Sequence, residues 1–564
     1  MNDVARPIHS RQRGTPANTF ADLVLRDALV YTADQRQSWA EAVAIRKGTI
    51  VYVGSTDGLR PFVGPETQVR ELPGRLILPG FRDAHIHPLT GSLNLFECRL
   101  IGSADPRAYL SQVAVYARAN EDQPFIRGGD WLPDAFPDCG PHRSDLDAIV
   151  ADRPVLLKSI DGHSAWINTR ALELAGITAD TANPPGGLIE RDPRSGKPTG
   201  TLREWSAMDL VASRFPPPTL ADRVTAGWAF MEMAARLGIV SIHEAMAKED
   251  ELAAYRALDQ SGELTLRVQA ALLCEPEKGR DQIEDLLALR QTYQGGLLAP
   301  RTVKIFVDGV VEGHTAWLID SYADRPGFCG ERLWSPEELN GMAAALDRAG
   351  FQLHLHAVGD GAVRMALDAF EHVALVNGHR DRRPMIAHCD LIDPVDLPRF
   401  HSLGVVANLQ PLWFYAERNF RKMTLTFLGR ERAWRLYPMQ SLLTSGAAVT
   451  CGTDWPFSGE LNTFNPLMAI QVGVTRRGLD ADAAPVYAPE QCVSLTALID
   501  AHTSGGAYAD FQEHLTGTLT VGKSADLICL DRNIFALPPS EISQARILLT
   551  IFQGKQVYQA PFNG

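Results

Sequence analysis

Both ends of the chain carry short apolar runs cut by turn residues. ADLVLRDALVYTAD and AEAVAIRKGTIVYVG lie near the start, and GTLTVGKSADLICLDRN and ILLTIFQGKQVYQ near the end. The run from Gly48 to Gly54 follows a Lys-Gly turn and has the β-branched and aromatic content of a strand. This texture predicts that residues 1–74 and 511–564 pair into one composite β-sandwich. Between them the pattern changes to apolar strands alternating with helical periodicity. Strands are expected at residues 75–81, 239–243, 266–273, 303–307, 352–356, 385–388, 405–409 and 448–452. The stretch from Ser335 to Gly350 has a Ser N-cap, Pro at the first helical position, an early Glu and a closing Gly, so a helix is expected there. Eight strands with helices between them predict an α/β fold, a (β/α)8 TIM-like barrel over 75–510. The gap between its first two strands is roughly 150 residues, too long for a structureless loop, so an inserted subdomain over 95–235 is expected. That segment contains FIRGGDW, VLLKSIDGHSAWIN and GTLREW, with a Pro/Gly turn at Asn183 to Gly187.

Composition narrows the function. At 564 residues the chain exceeds what one hydrophobic core supports. Its 45% apolar and 21% charged residues are ordinary for a globular protein. The formal net charge of −13 argues against a nucleic-acid or anionic-membrane surface, both of which favour clustered Lys and Arg. No apolar run reaches transmembrane length, and the first twenty residues read as a polar arm rather than a signal peptide. Eight scattered cysteines with no CxxC fit free thiols in a reducing cytoplasm.

The candidate chemistry sits at strand ends. In LPGFRDAHIHP, alternation sends His85 and His87 to one side and Ile86 to the other, so the two imidazoles can share one metal ion. The fourth strand carries Lys304 in an otherwise apolar run and ends at Asp308. The fifth gives His354 and His356, the sixth His388, and the eighth Asp454. Strand ends of a barrel meet at one rim, so His-x-His, Lys, His, His and Asp in this order form one candidate metal site. An alternative for Lys304 is an ion pair with Asp308, which would leave a single metal. His354, deeper than His356, and His243, at the end of the second strand, have no assigned role.

The motifs LPGFRDAHIHP, DGHSAWIN, VKIFVDG, LHLHAVGDGAV, MIAHCD, ANLQP, CGTDWP and GTLTVGKSADLICLD together resemble the amidohydrolase superfamily, in the branch that includes N-substituted formamide deformylase. The resemblance implies that His85 and His87 bind a buried metal and His356 and His388 a second one. Lys304 would be carboxylated and bridge the two, and Asp454 would contact the buried metal and act as general base. It further implies zinc, two ions per chain, other divalent metals being compatible with the same ligands. The implied reaction is cleavage of an amide-type C–N bond in a small-molecule substrate by metal-activated hydroxide, and a homodimer is expected by analogy. A deaminase, or an ester, lactone or carbamate hydrolase, is the alternative on the same scaffold, and a non-catalytic binding protein is a third.

His163 from the DGHSAWIN block, His314 after the fourth strand, Gln410 after the seventh and Arg435 before the eighth are the candidate substrate-binding residues. The branch usually continues after VKIFVDG with small residues and an Arg before Thr-Ala. Here the chain reads VVEGHTAW, which places Val310, Glu312 and His314 where substrate contacts are expected. Trp131, Trp317, Trp413, Phe414 and Trp455 suggest an aromatic pocket.

Overall fold

The structure, a computed structural model, describes residues 20–100, 105–136, 140–160, 162, 164–184, 187–417, 420–479 and 486–561. The chain divides into two compact units. One holds 1–86, 231–252 and 259–564, and the other 87–230 with 253–258.

The first unit contains the barrel. Its eight parallel strands are β1 (Phe81–Ile86), β2 (Ile239–Ala247), β3 (Arg267–Leu273), β4 (Leu298–Phe306), β5 (Gln352–Ala357), β6 (Met385–His388), β7 (Val406–Leu409) and β8 (Ala448–Cys451), paired in that order. Closure comes from β8 returning beside β1. The Asp454 N–H donates to the His85 carbonyl at 2.7 Å, and the Asn408 amide donates to the Ala84 carbonyl at 2.8 Å. Gly452 permits this approach, since a Cβ there would lie 2.3 Å from the His85 backbone nitrogen. Register sets the layers inside the barrel. Lys304 lies opposite His354, Phe306 opposite His356, and Ala357 opposite His388.

Two further sheets in this unit draw on both chain ends. The six-stranded sheet runs Lys555–Gln559, Ile547–Phe552, Leu527–Leu530, Leu76–Pro79, Leu29–Tyr31, Trp39–Ala40. The four-stranded sheet runs Thr49–Gly54, Ala42–Arg46, Leu23–Arg26, Gln68–Glu71. Leu25, Val43 and Ile45 from the smaller sheet share one buried cluster with Ile77, Leu527 and Ile551 from the larger. Packing of this apolar area is the main force holding them together.

The structure corrects the first barrel strand. The expected strand at 75–81 is two strands: Leu76–Pro79 pairs with Leu527–Leu530 and Leu29–Tyr31, and the barrel strand begins only at Phe81. Both halves are extended and apolar, so periodicity does not reveal the break. Gly80 marks it: its N–H donates to the Asp526 carbonyl, and the next one, from Phe81, goes to the Gly238 carbonyl. The helix expected from Ser335 onward spans Pro336–Arg348 with a complete Ser335/Glu338 capping box.

The second unit has its own mixed sheet, in the order Leu188–Arg191, Pro198–Arg203, Ser164–Ile167, Val155–Ser159, Ile126–Trp131, Cys98–Arg99. Alternation along the strand Val155–Ser159 sends Val155 and Leu157 into one apolar cluster and Leu156 into another, so both faces are covered. Trp131 belongs to the first of these cores, packed edge-on against Phe136, and is not a pocket aromatic. Among the described residues no helix is long and apolar enough to cross a membrane.

One buried histidine outside the candidate site gives the fold an acid sensitivity. His502 accepts the Arg82 N–H at its carbonyl, and burial pushes its imidazole from 6.5 down to about 4. The unfolded chain therefore takes up this proton first. The stability is complete above about pH 6.5 and is lost as pH falls toward 4, by on the order of 3 kcal/mol. We expect His502→Gln to flatten the fall of Tm between pH 7 and about pH 4.5; parallel profiles for the two proteins would contradict this.

Candidate metal centre

Three ligand groups converge where β1 and β8 end. The donor atoms of His85, His87 and Asp454, all buried, lie within 4.8 Å of one another. One ion with bonds of about 2.0–2.2 Å reaches such a set with small side-chain adjustments. His85 Nε2 is 3.4 Å from Asp454 Oδ1 and 3.3 Å from Lys304 Nζ, so this nitrogen faces the shared space. His87 is the residue that precedes the helix Pro88–Leu93, with φ of −120° and ψ of 70°. Asp454 has φ of +56°, in the left-handed region that Asp tolerates better than most residues. His388 at +77° also lies at positive φ, and such backbone strain clusters at functional positions.

Lys304 is almost wholly buried. Burial pulls its ammonium down to about 8, against the opposing pull of Asp454 and Glu244. The alternative pairing with Asp308 is not what the structure contains. Asp308 accepts backbone N–H groups from Trp317 at 2.9 Å, Val358 at 3.1 Å and Gly359 at 2.9 Å, and burial lifts its carboxyl to about 7. Its work is to tie the loop after β4 to the end of β5.

His356 and His388 form the second group, with ring centroids 4.4 Å apart, and the His388 ring is 4.9 Å from that of His85. Each is held by a neighbour that fixes its tautomer. His356 Nε2 lies 3.1 Å from the Gly309 carbonyl, and burial lowers its imidazole to about 3, which keeps it neutral and able to ligate. His388 Nδ1 lies 3.0 Å from Gln410 Oε1, which assigns the hydrogen to Nδ1 and the lone pair to Nε2. Trp413 stacks on His388 at 5.5 Å.

The expected substrate contacts fare unevenly. Gln410 is engaged in orienting His388. His314 is buried with Nε2 2.9 Å from Asp324 Oδ2 and its ring 3.9 Å from that of Phe427, so it stabilises its own loop. Arg435 lies half-buried in the electrostatic range of Asp360. His163, with Asp161, lies outside the described residues.

One supporting residue, Asp83, is not among the candidates that the sequence singles out. Asp83 accepts the Thr453 N–H at 3.0 Å and the Thr453 hydroxyl at 2.6 Å, pinning the segment before Asp454 to β1. Burial lifts its carboxyl to about 7, a shift that the Thr453 hydrogen bonds oppose. The signal was present in the period: Asp83, His85 and His87 alternate onto one side.

The chain is similar in sequence and fold to known proteins. A family model described as the amidohydrolase family matches residues 68–558. Protein LONG AFTER FAR-RED 3 of Arabidopsis thaliana is 33% identical over 556 residues, covering 96% of this chain and 92% of its own length. The N-substituted formamide deformylase of Arthrobacter pascens is 27% identical over 558 residues, covering 95% and 98%. Among solved structures, an uncharacterized metal-dependent hydrolase from Pyrococcus furiosus has a TM-score of 0.73 at 25% identity, covering 91% of this chain and 99% of that one. With a barrel whose strand ends gather imidazoles and a carboxylate, and a family match spanning nearly its whole length, the chain belongs to the amidohydrolase family and is a metal-dependent hydrolase acting on carbon–nitrogen bonds.

Proposed function

We propose that the chain hydrolyses an amide-type C–N bond in a small molecule of the N-substituted formamide or N-acyl amine class. The proposed site has His85, His87 and Asp454 as one ligand group, His356 and His388 as a second, and carboxylated Lys304 between them. The observation that carries this reading is the convergence of three buried ligand groups beside a buried lysine. A divalent cation bound there supplies Lewis acidity toward a carbonyl oxygen and lowers the pKa of water. The remaining work falls to the chain's own side chains. Asp454 takes the proton of the attacking water as its oxygen adds to the carbonyl carbon. It then returns that proton to nitrogen as the C–N bond breaks, because an amine leaves only when protonated. Lys304 in ammonium form would repel cations, whereas its carbamate is anionic and offers two oxygens. Gln410 and the Gly309 carbonyl hold His388 and His356 in orientation.

Zinc suits a set of imidazole and carboxylate ligands. A reducing cytoplasm agrees with the described cysteines, none of which forms a disulfide. The homodimer rests on family analogy alone. The formamide preference is supported by the deformylase among the relatives. A panel of alkyl and aryl formamides, N-acyl amines, carboxylic esters and aminopurines tests the reading. We expect equal amounts of amine and carboxylate from one of the first two classes. Ammonia from an aminopurine with no amide cleavage would replace it with the deaminase alternative.

A further inference from the structure

Behind the ligands lies a line of buried polar groups that the proposed mechanism does not use. His85 Nδ1 is 3.1 Å from His354 Nε2. The His354 ring stands edge-on to that of His243, with centroids 5.0 Å apart and planes at 82°. His243 Nδ1 is 3.0 Å from Asp510 Oδ1, and the Arg82 guanidinium donates to Asp510 Oδ2 at 2.7 Å and to Gln512 at 2.9 Å. All three imidazoles are fully buried. Burial alone would raise the Asp510 carboxyl, yet hydrogen bonds from His243 and Arg82 hold it below the usual range, so it is an anion and His243 Nδ1 carries the hydrogen that it accepts.

This geometry fixes the hydrogens in sequence. The nitrogen of His85 that faces Asp454 and Lys304 is Nε2, so a ligating His85 keeps its lone pair there and its hydrogen on Nδ1. That hydrogen needs an acceptor, and the atom in place is His354 Nε2. His354 must then carry its own hydrogen on Nδ1. Its ring stands edge-on to that of His243, and its backbone pairs opposite Lys304.

We propose that His354 is a positioning residue that selects the metal-binding tautomer of His85, with the His243–Asp510–Arg82 group serving to hold the His354 ring. The inference rests on the metal-site reading above and goes beyond it, because neither the family match nor the ligand set assigns His354 a role. A gap in this acceptor leaves His85 free to rotate or to place its hydrogen on Nε2, where it blocks coordination. Loss of such an outer partner costs about 10–100-fold in metal affinity.

The test uses the full chain, stripped of metal and titrated with zinc against a chromophoric chelator, with the visible spectrum of the cobalt form as a second readout. Three variants discriminate. The His354→Gln side chain brings an acceptor oxygen to about the place of Nε2, His354→Asn falls short of it, and His354→Leu has none. We expect zinc affinity near wild type for Gln, a loss of about 10–100-fold for Asn and Leu, and an altered cobalt spectrum in those two. The metal-free Gln and Asn proteins should unfold at similar temperatures. Wild-type affinity in Asn and Leu, or equal losses in Gln and Asn, would overturn the proposal. Failure of all three to fold would also overturn it, by marking His354 as a packing residue. If the wild-type chain itself takes up no zinc, the metal-site reading falls instead.

Discussion

Asp454→Asn is expected to leave a folded, metal-loaded protein whose kcat is lower by about 10²–10⁴-fold. Asn keeps the shape of Asp and one oxygen that can face the ion, and the Asp454 N–H to His85 carbonyl bond is a backbone contact that the change does not touch. What disappears is the negative charge and the capacity to take and return a proton. Turnover and metal content measured on the same preparation separate the two roles. A kcat close to wild type would remove Asp454 as the base. A variant empty of metal would show that its main service is ligation.

The second large effect is expected at Lys304. Lys304→Ala and Lys304→Met should both lose metal, with occupancy falling well below that of wild type and activity falling with it. Met is included because Lys304 is buried against Phe306, and a full-length apolar side chain keeps that packing while removing the amine. A loss seen only in Ala would point to a collapsed cavity. Full loading in the Met variant would sink the bridging role, and the single-metal alternative would take its place. Metal analysis of both variants, beside wild type prepared in bicarbonate, distinguishes these outcomes.

Much of this arrangement could be read in the sequence because barrel chemistry sits at strand ends, and strand ends are visible as apolar runs closing on a polar residue. His85, His87, Lys304, His356, His388 and Asp454 are each legible in that way as candidate ligands. Period-2 alternation gives the side on which a residue lies, but neither its depth nor its neighbour. Gln410 therefore looked like a substrate contact and is instead the acceptor for His388. His314, on the loop after β4, reads as a substrate contact and is instead buried on Asp324, ten residues further along. Asp510 lies 267 residues from His243, a distance that no local pattern bridges. The break at Gly80 escaped because two apolar strands of different sheets run on without a change of texture.

The proposed function requires that these side chains enclose divalent metal. A crystal of the full chain, purified without chelator and measured at and below the zinc absorption edge, tests it most directly. Anomalous peaks are expected at the carboxyl end of the barrel, one touching His85, His87 and Asp454 and one touching His356 and His388, with electron density for a carbamate on Lys304 between them. A barrel without peaks in protein that still hydrolyses its substrate would contradict it.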